Sequence, residues 1–262
     1  DAGAGDDVID LARIASVNGG SGNDTLVISL NGTQTNVTFN LSSFWTGGGI
    51  GYSGGTLTGI EAIVTGGVYL GDGNDIFVVG DAGPGFGIVS GDGNDIVIGG
   101  NANDSFVGGN GNDTLAGHGG NDRLEGGTGL NELIGSTGND IYVVTNRTDS
   151  TVEYAGEGLD TVETTIGIYA LQANVENLTF TDHATHGAGV GNMLDNVING
   201  GDGIDDLYGR AGNDTLNGWG SANTLLGQEG DDVYFVVTAG DSVIEFAGQG
   251  NDTVRTTLSA FV

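Results

Sequence analysis

The chain repeats itself every nine residues, and so short a period leaves room only for a stack of short strands and turns. From Ser90 the text reads SGDGNDIVI, GGNANDSFV, GGNGNDTLA, GHGGNDRLE, GGTGLNELI and GSTGNDIYV, six nonamers without a gap. A second array from Gly191 reads GNMLDNVIN, GGDGIDDLY, GRAGNDTLN, GWGSANTLL and GQEGDDVYF. The sixth position holds Asp95, Asp104, Asp113, Asp122, Asn131 and Asp140 in the first array. In the second it holds Asn196, Asp205, Asp214, Asn223 and Asp232. Isolated copies place Asp7, Asp24, Asp75, Asp160 and Asp252 in the same slot. Two residues after each of these sixteen slots the residue is apolar or aromatic, from Ile9 and Leu26 to Val254, in a chain only 37% hydrophobic.

The nonamer has a physical reading. Glycines at its first, second and fourth positions permit positive φ and close backbone approach, so the first six residues are expected to form a turn. The last three, with a central apolar side chain, are expected to form a short strand facing inward. Two turns and two strands, which is two nonamers, then close one coil, and coils stack at the inter-strand spacing of about 4.8 Å. The predicted fold is an all-β solenoid. Slots two nonamers apart share an edge: Asp95, Asp113 and Asn131 on one, Asp104, Asp122 and Asp140 on the other.

Charge then becomes informative. The chain has 35 acidic residues against 5 arginines and no lysine, a formal net charge of −30. A polyanion without a basic patch repels nucleic acid, so that partner is excluded. Stacked carboxylates about one strand spacing apart repel unless a cation lies between them. Ca²⁺ suits such a gap, because it accepts six to eight oxygens in flexible geometry, and Mg²⁺ demands a tighter octahedron. Zinc is disfavoured, since there is no cysteine and no cluster of histidines.

GGSGNDTLV at Gly19 and GGNGNDTLA at Gly108 resemble the RTX (repeats-in-toxin) calcium-binding nonapeptide G-G-x-G-x-D-x-U-x. The resemblance implies a parallel β-roll that folds on binding several Ca²⁺ ions, in a protein exported unfolded by a type I secretion system. It implies Ca²⁺ between same-edge turns, with slot aspartates giving carboxylate oxygens and Gly91, Gly93, Gly109 and Gly111 giving carbonyls. Gly108, Gly117, Gly120, Gly200, Gly201, Gly203, Gly209 and Gly212 occupy equivalent turn positions and complete the candidate metal set. Three slots depart from aspartate. Asn131, Asn196 and Asn223 keep an oxygen but lose the charge, so their sites are expected to be weaker or empty. Ala102 replaces a fourth-position glycine, and three slot pairs (Asp75–Asp95, Asp140–Asp160, Asp232–Asp252) are spaced wider than two nonamers.

Between the arrays the pattern changes. Residues 1–24 read as partial coils, 25–70 as an Asp-poor β insertion or wide coils, and 71–145 as the first array. Residues 146–190, with LQANVENLTF, read as a wider metal-free coil module, 191–235 as the second array, and 236–262 as a truncated copy of that module. Indeed Asp140 to Tyr169 aligns without gaps on Asp232 to Phe261, so a longer unit is duplicated as well. Phe44, Trp45 and Tyr52 are expected to form a local core or cap, with a ligand surface as the alternative.

Catalytic motifs do not stand out. Gly51-Tyr52-Ser53-Gly54-Gly55 matches the nucleophile-elbow pattern, but glycine-rich text produces such matches by chance and no helix is expected after it. His183-x-x-His186 beside Asp182 has metal-ligand spacing only on a helix, and the region reads as strand or loop. His118 sits at a solvent-facing turn position and takes no role. No apolar run approaches the roughly 20 residues needed to span a bilayer, and both ends fall mid-pattern. The expectation is a calcium-binding region of a larger secreted or cell-surface bacterial protein, not itself an enzyme. The alternatives are an S-layer, adhesin or filament subunit cemented by Ca²⁺, and the C-terminal repeat region of a secreted hydrolase or epimerase.

Overall fold

A computed structural model describes residues 74–78, 85–181 and 187–259 in full, and only the backbone of the strands between Val8 and Asp72. Every regular element among the described residues is a β-strand. No helix there is long and apolar enough to cross a membrane. The chain divides into two compact units, Asp1–Asp140 with Thr148–Thr151, and Ile141–Arg147 with Val152–Val262.

In the first unit, successive coils alternate between two parallel sheets. Val68–Asp72, Gly87–Asp92, Ser105–Asn110 and Arg123–Thr128 pair in one. Ile76–Val78, Ile96–Ile98, Thr114–Gly119 and Glu132–Thr137 pair in the other. Ser105 sits opposite Arg123, the offset that a coil of two nonamers requires. Ile76 sits opposite Ile96, a wider offset, and the ladder stays in register across the enlarged coil. Upstream, Thr38–Asn40 pairs parallel with Ile76–Val78 and antiparallel with Ile50–Tyr52, which pairs antiparallel with Gly55–Thr58. A strand, not a helix, therefore follows the Gly51–Gly55 motif, which is no nucleophile elbow. Phe44, Trp45, Asp182, His183 and His186 lie outside the described residues, as does the Tyr52 side chain.

The second unit has the same construction. Strands from Ile141–Val144 to Thr253–Thr256 form one parallel sheet. Ile168–Ala170, Gly187–Val190, Asp205–Ala211, Thr224–Glu229 and Ser242–Val243 form the other. The ANVENLTF stretch changes the stride: Thr161 pairs with Asn177 across a shortened coil, and Asn177 with Val197 across a lengthened one. Both units are parallel β-solenoids of the β-roll type.

The residue two after each slot is the core. Phe77, Val97, Phe106, Leu115, Leu124, Leu133, Tyr142, Val162, Ile198, Leu207, Leu216, Leu225 and Tyr234 are all 0% exposed. They stack in register, Leu115 between Val97 and Leu133, for example. Among the described residues only Val254 departs, at 40% exposure, because its strand pairs on one side alone. The strands are longer than the sequence reading allowed. Ser105–Asn110 runs from the apolar triplet into the next turn, because turn glycines also pair across coils, Gly91 with Gly109 and Gly109 with Gly127. The bond from Gly93 N–H to the Asn110 carbonyl, 2.7 Å, extends the ladder further into the turn.

That core is one side chain deep, so each layer counts. Leu115→Ala should cost about 2–5 kcal/mol, the range for a fully buried leucine, read as a lowered melting temperature in saturating Ca²⁺. Ile96→Ala, at a position 38% exposed, should cost clearly less.

Candidate metal centre

The slot residues from Asp75 to Asp232 are buried, whereas Asp252 is exposed, and slot side chains tie successive coils together. Along one edge the Asp75 N–H donates to Asp95 Oδ1 (2.8 Å), the Asp95 N–H to Asp113 Oδ1 (2.9 Å), and the Asp113 N–H to Asn131 Oδ1 (2.9 Å). On the opposite edge Phe86, Asp104 and Asp122 N–H donate to Asp104, Asp122 and Asp140 Oδ1, each at 2.7 Å. The second unit repeats this from Asn196 to Asp214, Asp232 and Asp252, and from Gly187 to Asp205 and Asn223. The slots in fully described coils thus fall into same-edge columns, including the wider-spaced pairs Asp75–Asp95 and Asp232–Asp252. The Asp7 and Asp24 slots lie outside the described residues.

One carboxylate oxygen is spent on that bond. The other, Oδ2, is buried with no hydrogen-bond partner in Asp95, Asp113, Asp122, Asp214 and Asp232. A buried charged oxygen without a partner is costly, so its position marks where a cation belongs. Asp113 and Asp122 Oδ2 lie over the first glycine of their own turn: a Cβ on Gly108 would stand 2.4 Å from Asp113 Oδ2, and one on Gly117 2.0 Å from Asp122 Oδ2. Gly209 stands in the same relation to Asp214, and Gly200 to Asp205. The second- and fourth-position glycines stack on the carbonyls one coil back. A Cβ on Gly109 would stand 2.2 Å from the Gly91 oxygen, and one on Gly111 1.6 Å from the Gly93 oxygen. All four, with Gly120 and Gly212, have positive φ. His118 (φ 76°) and Arg210 (φ 88°), which fill the second position of their turns, are driven into the same region.

Two slots are satisfied differently. Asp104 Oδ2 accepts the Gly100 N–H (3.2 Å) and Asp205 Oδ2 the Gly201 N–H (2.8 Å), within the same turn. Gly203 is half-buried in that second turn. These carboxylates have backbone donors on both oxygens and need a cation less than their neighbours do.

Burial pushes the remaining slot carboxyls upward. Asp113 rises from 3.8 to about 6, through desolvation first and the charges of Asp95 and Asp149 after it. Asp122 rises to about 7, again by desolvation, then by Asp140 and Asp104. Asp214 reaches about 7 and Asp232 about 6, for the same leading reason.

The asparagine slots carry their own donor. Asn131 Nδ2 donates to Asp149 Oδ1 (2.9 Å), and Asn223 Nδ2 to Asp241 Oδ1 (3.1 Å). Asn196 Nδ2 donates to the Glu176 carbonyl (3.1 Å). An amide here places a hydrogen-bond donor where an aspartate would present a second oxygen in need of a cation. Sequence reading missed Asp149 and Asp241, which lie one coil beyond Asn131 and Asn223 in text that has lost the G-N-D signature. It also missed Glu176, whose Oε2 accepts the Asp160 N–H (2.9 Å) as a slot aspartate would. The coil there is shortened, and the longer side chain reaches across.

The donors are all oxygen, carboxylate and carbonyl, and the buried Oδ2 atoms lack a positive partner. Both facts fit Ca²⁺. A family model for the RTX calcium-binding nonapeptide repeat matches in four copies, at residues 16–27, 89–124, 116–144 and 191–234. The chain thus carries RTX calcium-binding nonapeptide repeats over these residues. It is also similar to endo-1,3-1,4-beta-glycanase ExsH of Rhizobium meliloti (strain 1021), 43% identical over 54 residues, which is 20% of this chain and 12% of that protein. The likeness therefore spans a small part of either molecule. In the RTX arrays, the Asp95–Asp113, Asp122–Asp140 and Asp214–Asp232 pairs with their turn carbonyls would hold Ca²⁺, which would neutralise the column and join successive coils.

Two outcomes follow. Asp214→Asn keeps an acceptor for the Asn196 N–H and loses only the charge, so it should raise the Ca²⁺ midpoint for folding. Asp214→Ala loses both and should raise it further; equal midpoints in a circular dichroism titration would contradict this. The second outcome concerns pH without metal. Carboxyls that titrate near 6–7 when folded and near 3.8 when unfolded stabilise the metal-free coil at acid pH. That contribution is lost as pH rises through 6 to 7. Chelated protein should gain β-structure between pH 7.5 and 5.5, and a flat far-ultraviolet signal over that range would refute it.

Proposed function

We propose that this chain is a Ca²⁺-dependent folding module of a protein exported from the cell, without catalytic activity of its own. The observation that carries the reading is the set of buried slot carboxylates Asp95, Asp113, Asp122, Asp214 and Asp232, each with one oxygen committed to the neighbouring coil and the other without a hydrogen-bond partner. The chain has too few cations to serve them, 5 arginines against 35 acids. Ca²⁺ supplies what is missing, and binding energy becomes folding energy. A chain that stays unfolded where Ca²⁺ is scarce and folds where it reaches millimolar levels suits passage through an export channel followed by folding outside.

A second reading has the module attached to a hydrolase. The stretch shared with a glycanase favours it, since a repeat region of this type accompanies a polypeptide with that name. The catalytic groups would then belong to another domain, and the solenoid would stabilise or present it.

Purified, chelator-treated protein titrated with Ca²⁺ should pass cooperatively from coil to β in far-ultraviolet circular dichroism, with no equivalent response to Mg²⁺. A β-rich spectrum that persists in excess chelator at neutral pH would mean that the apolar ladder suffices alone, and would sink the folding-switch reading.

A further inference from the structure

Glu245 belongs to no nonapeptide, yet it ends beside two slot aspartates. One carboxylate oxygen from each of Asp232, Glu245 and Asp252 lies within 4.8 Å of the other two. Asp232 is 0% exposed, and its Oδ2 has no hydrogen-bond partner. The buried Oε2 of Glu245 has none either. Tyr234 sets the glutamate in place: its hydroxyl accepts the Gly227 N–H (2.8 Å) and donates to Glu245 Oε1. A Cβ on Gly227 would stand 1.9 Å from Asp232 Oδ2 and 2.3 Å from the Tyr234 hydroxyl oxygen, so both atoms occupy the space over one glycine. The tyrosine thus takes up one oxygen of Glu245 and leaves the other beside the slot pair. Burial, with Asp252 and Asp232 adding like charge, pushes the Glu245 carboxyl above its ordinary range.

We propose that Asp232, Glu245 and Asp252 form a three-carboxylate Ca²⁺ site, with Glu245 as a ligand outside the nonapeptide pattern and Tyr234 as its positioning residue. The proposal rests on the calcium reading of the arrays and adds a site type to it. The coil between the two aspartates is enlarged, and Asp232 N–H still reaches Asp252 Oδ1 at 3.0 Å. Three carboxylates converging without a basic partner call for a hard cation with high coordination number, which selects Ca²⁺ over zinc and over a tightly hydrated Mg²⁺. The extra charged ligand should make this site tighter than an ordinary slot pair, since ligand charge count sets Ca²⁺ affinity. The arrangement recurs in sequence: Asp140, Tyr142, Glu153 and Asp160 are the counterparts of Asp232, Tyr234, Glu245 and Asp252 in the earlier copy of the duplicated unit. Tyr142 likewise donates to the buried Glu153 Oε1.

The test uses the full chain and Tb³⁺ as the probe, with luminescence excited through tyrosine and stoichiometry from equilibrium dialysis. Glu245→Gln, and Asp252→Asn, which keeps an acceptor for the Asp232 N–H, should each weaken one Tb³⁺ and Ca²⁺ equivalent by about tenfold or more. Sensitised emission should fall with it. Glu132→Gln, which removes the same charge at an exposed strand position, should change neither. If Glu245→Gln does not fold in saturating Ca²⁺, Tyr234→Phe decides, because it keeps all three carboxylates and should weaken the same equivalent. Wild-type stoichiometry and affinity in these variants would overturn the proposal. A wild-type chain that binds no Ca²⁺ at all would overturn the array reading as well, which separates the two failures.

Discussion

The structure depends on one bond repeated along each edge: a buried slot side chain accepts the backbone N–H of the slot residue one coil earlier. It is seen at 2.7–3.0 Å from Asp95 through Asp113 and from Asn196 through Asp252. The bond explains why the slot demands a short side chain with a carbonyl-type oxygen, and why aspartate and asparagine both serve. It also brings like charges into line at strand spacing, out of water. A buried carboxylate with a single donor is incompletely compensated, and the second oxygen needs a positive partner. In this molecule an asparagine amide takes the place of the second oxygen, or a second backbone N–H reaches it as at Asp104 and Asp205; in the remaining slots the proposed Ca²⁺ would meet the need.

Opposed to the charge is a thin apolar ladder. The nonapeptide strands from Ile76–Val78 to Val233–Val236 each contribute a fully buried apolar side chain, stacked on its equivalent in the next coil, at about 1.5–3 kcal/mol for a residue of leucine size. Chain entropy falls most heavily on a sequence with 54 glycines. The glycines are not optional, since at Gly109 and Gly111 a Cβ would collide with the backbone of the coil before. A thin core, an entropic backbone and columns of buried charge are the features on which the proposed Ca²⁺ switch for folding would act.

Glutamate enters where the stride changes. At Glu176 a shortened coil is bridged by the longer side chain, which accepts the Asp160 N–H in the manner of a slot aspartate. At Glu245 an enlarged coil brings a third carboxylate to a slot pair. The segment between the arrays is therefore more than a spacer, since it continues the column by other residues.

Much was legible in one dimension. The nine-residue period determined the coil, the inward position of the residue after next, the alternation of edges and the oxygen-only chemistry, because each follows from strand geometry and spacing along the chain. Asp149, Asp241, Glu176 and Glu245 were not legible, since their text lacks the repeat and only stacking brings them to the columns. Nor could sequence say which carboxylates keep an oxygen without a partner. Asp113 and Asp205 carry the same residue in the same slot, and differ only in whether a backbone N–H of their own turn points at Oδ2. That depends on how each turn is folded against its neighbours, which is decided in three dimensions.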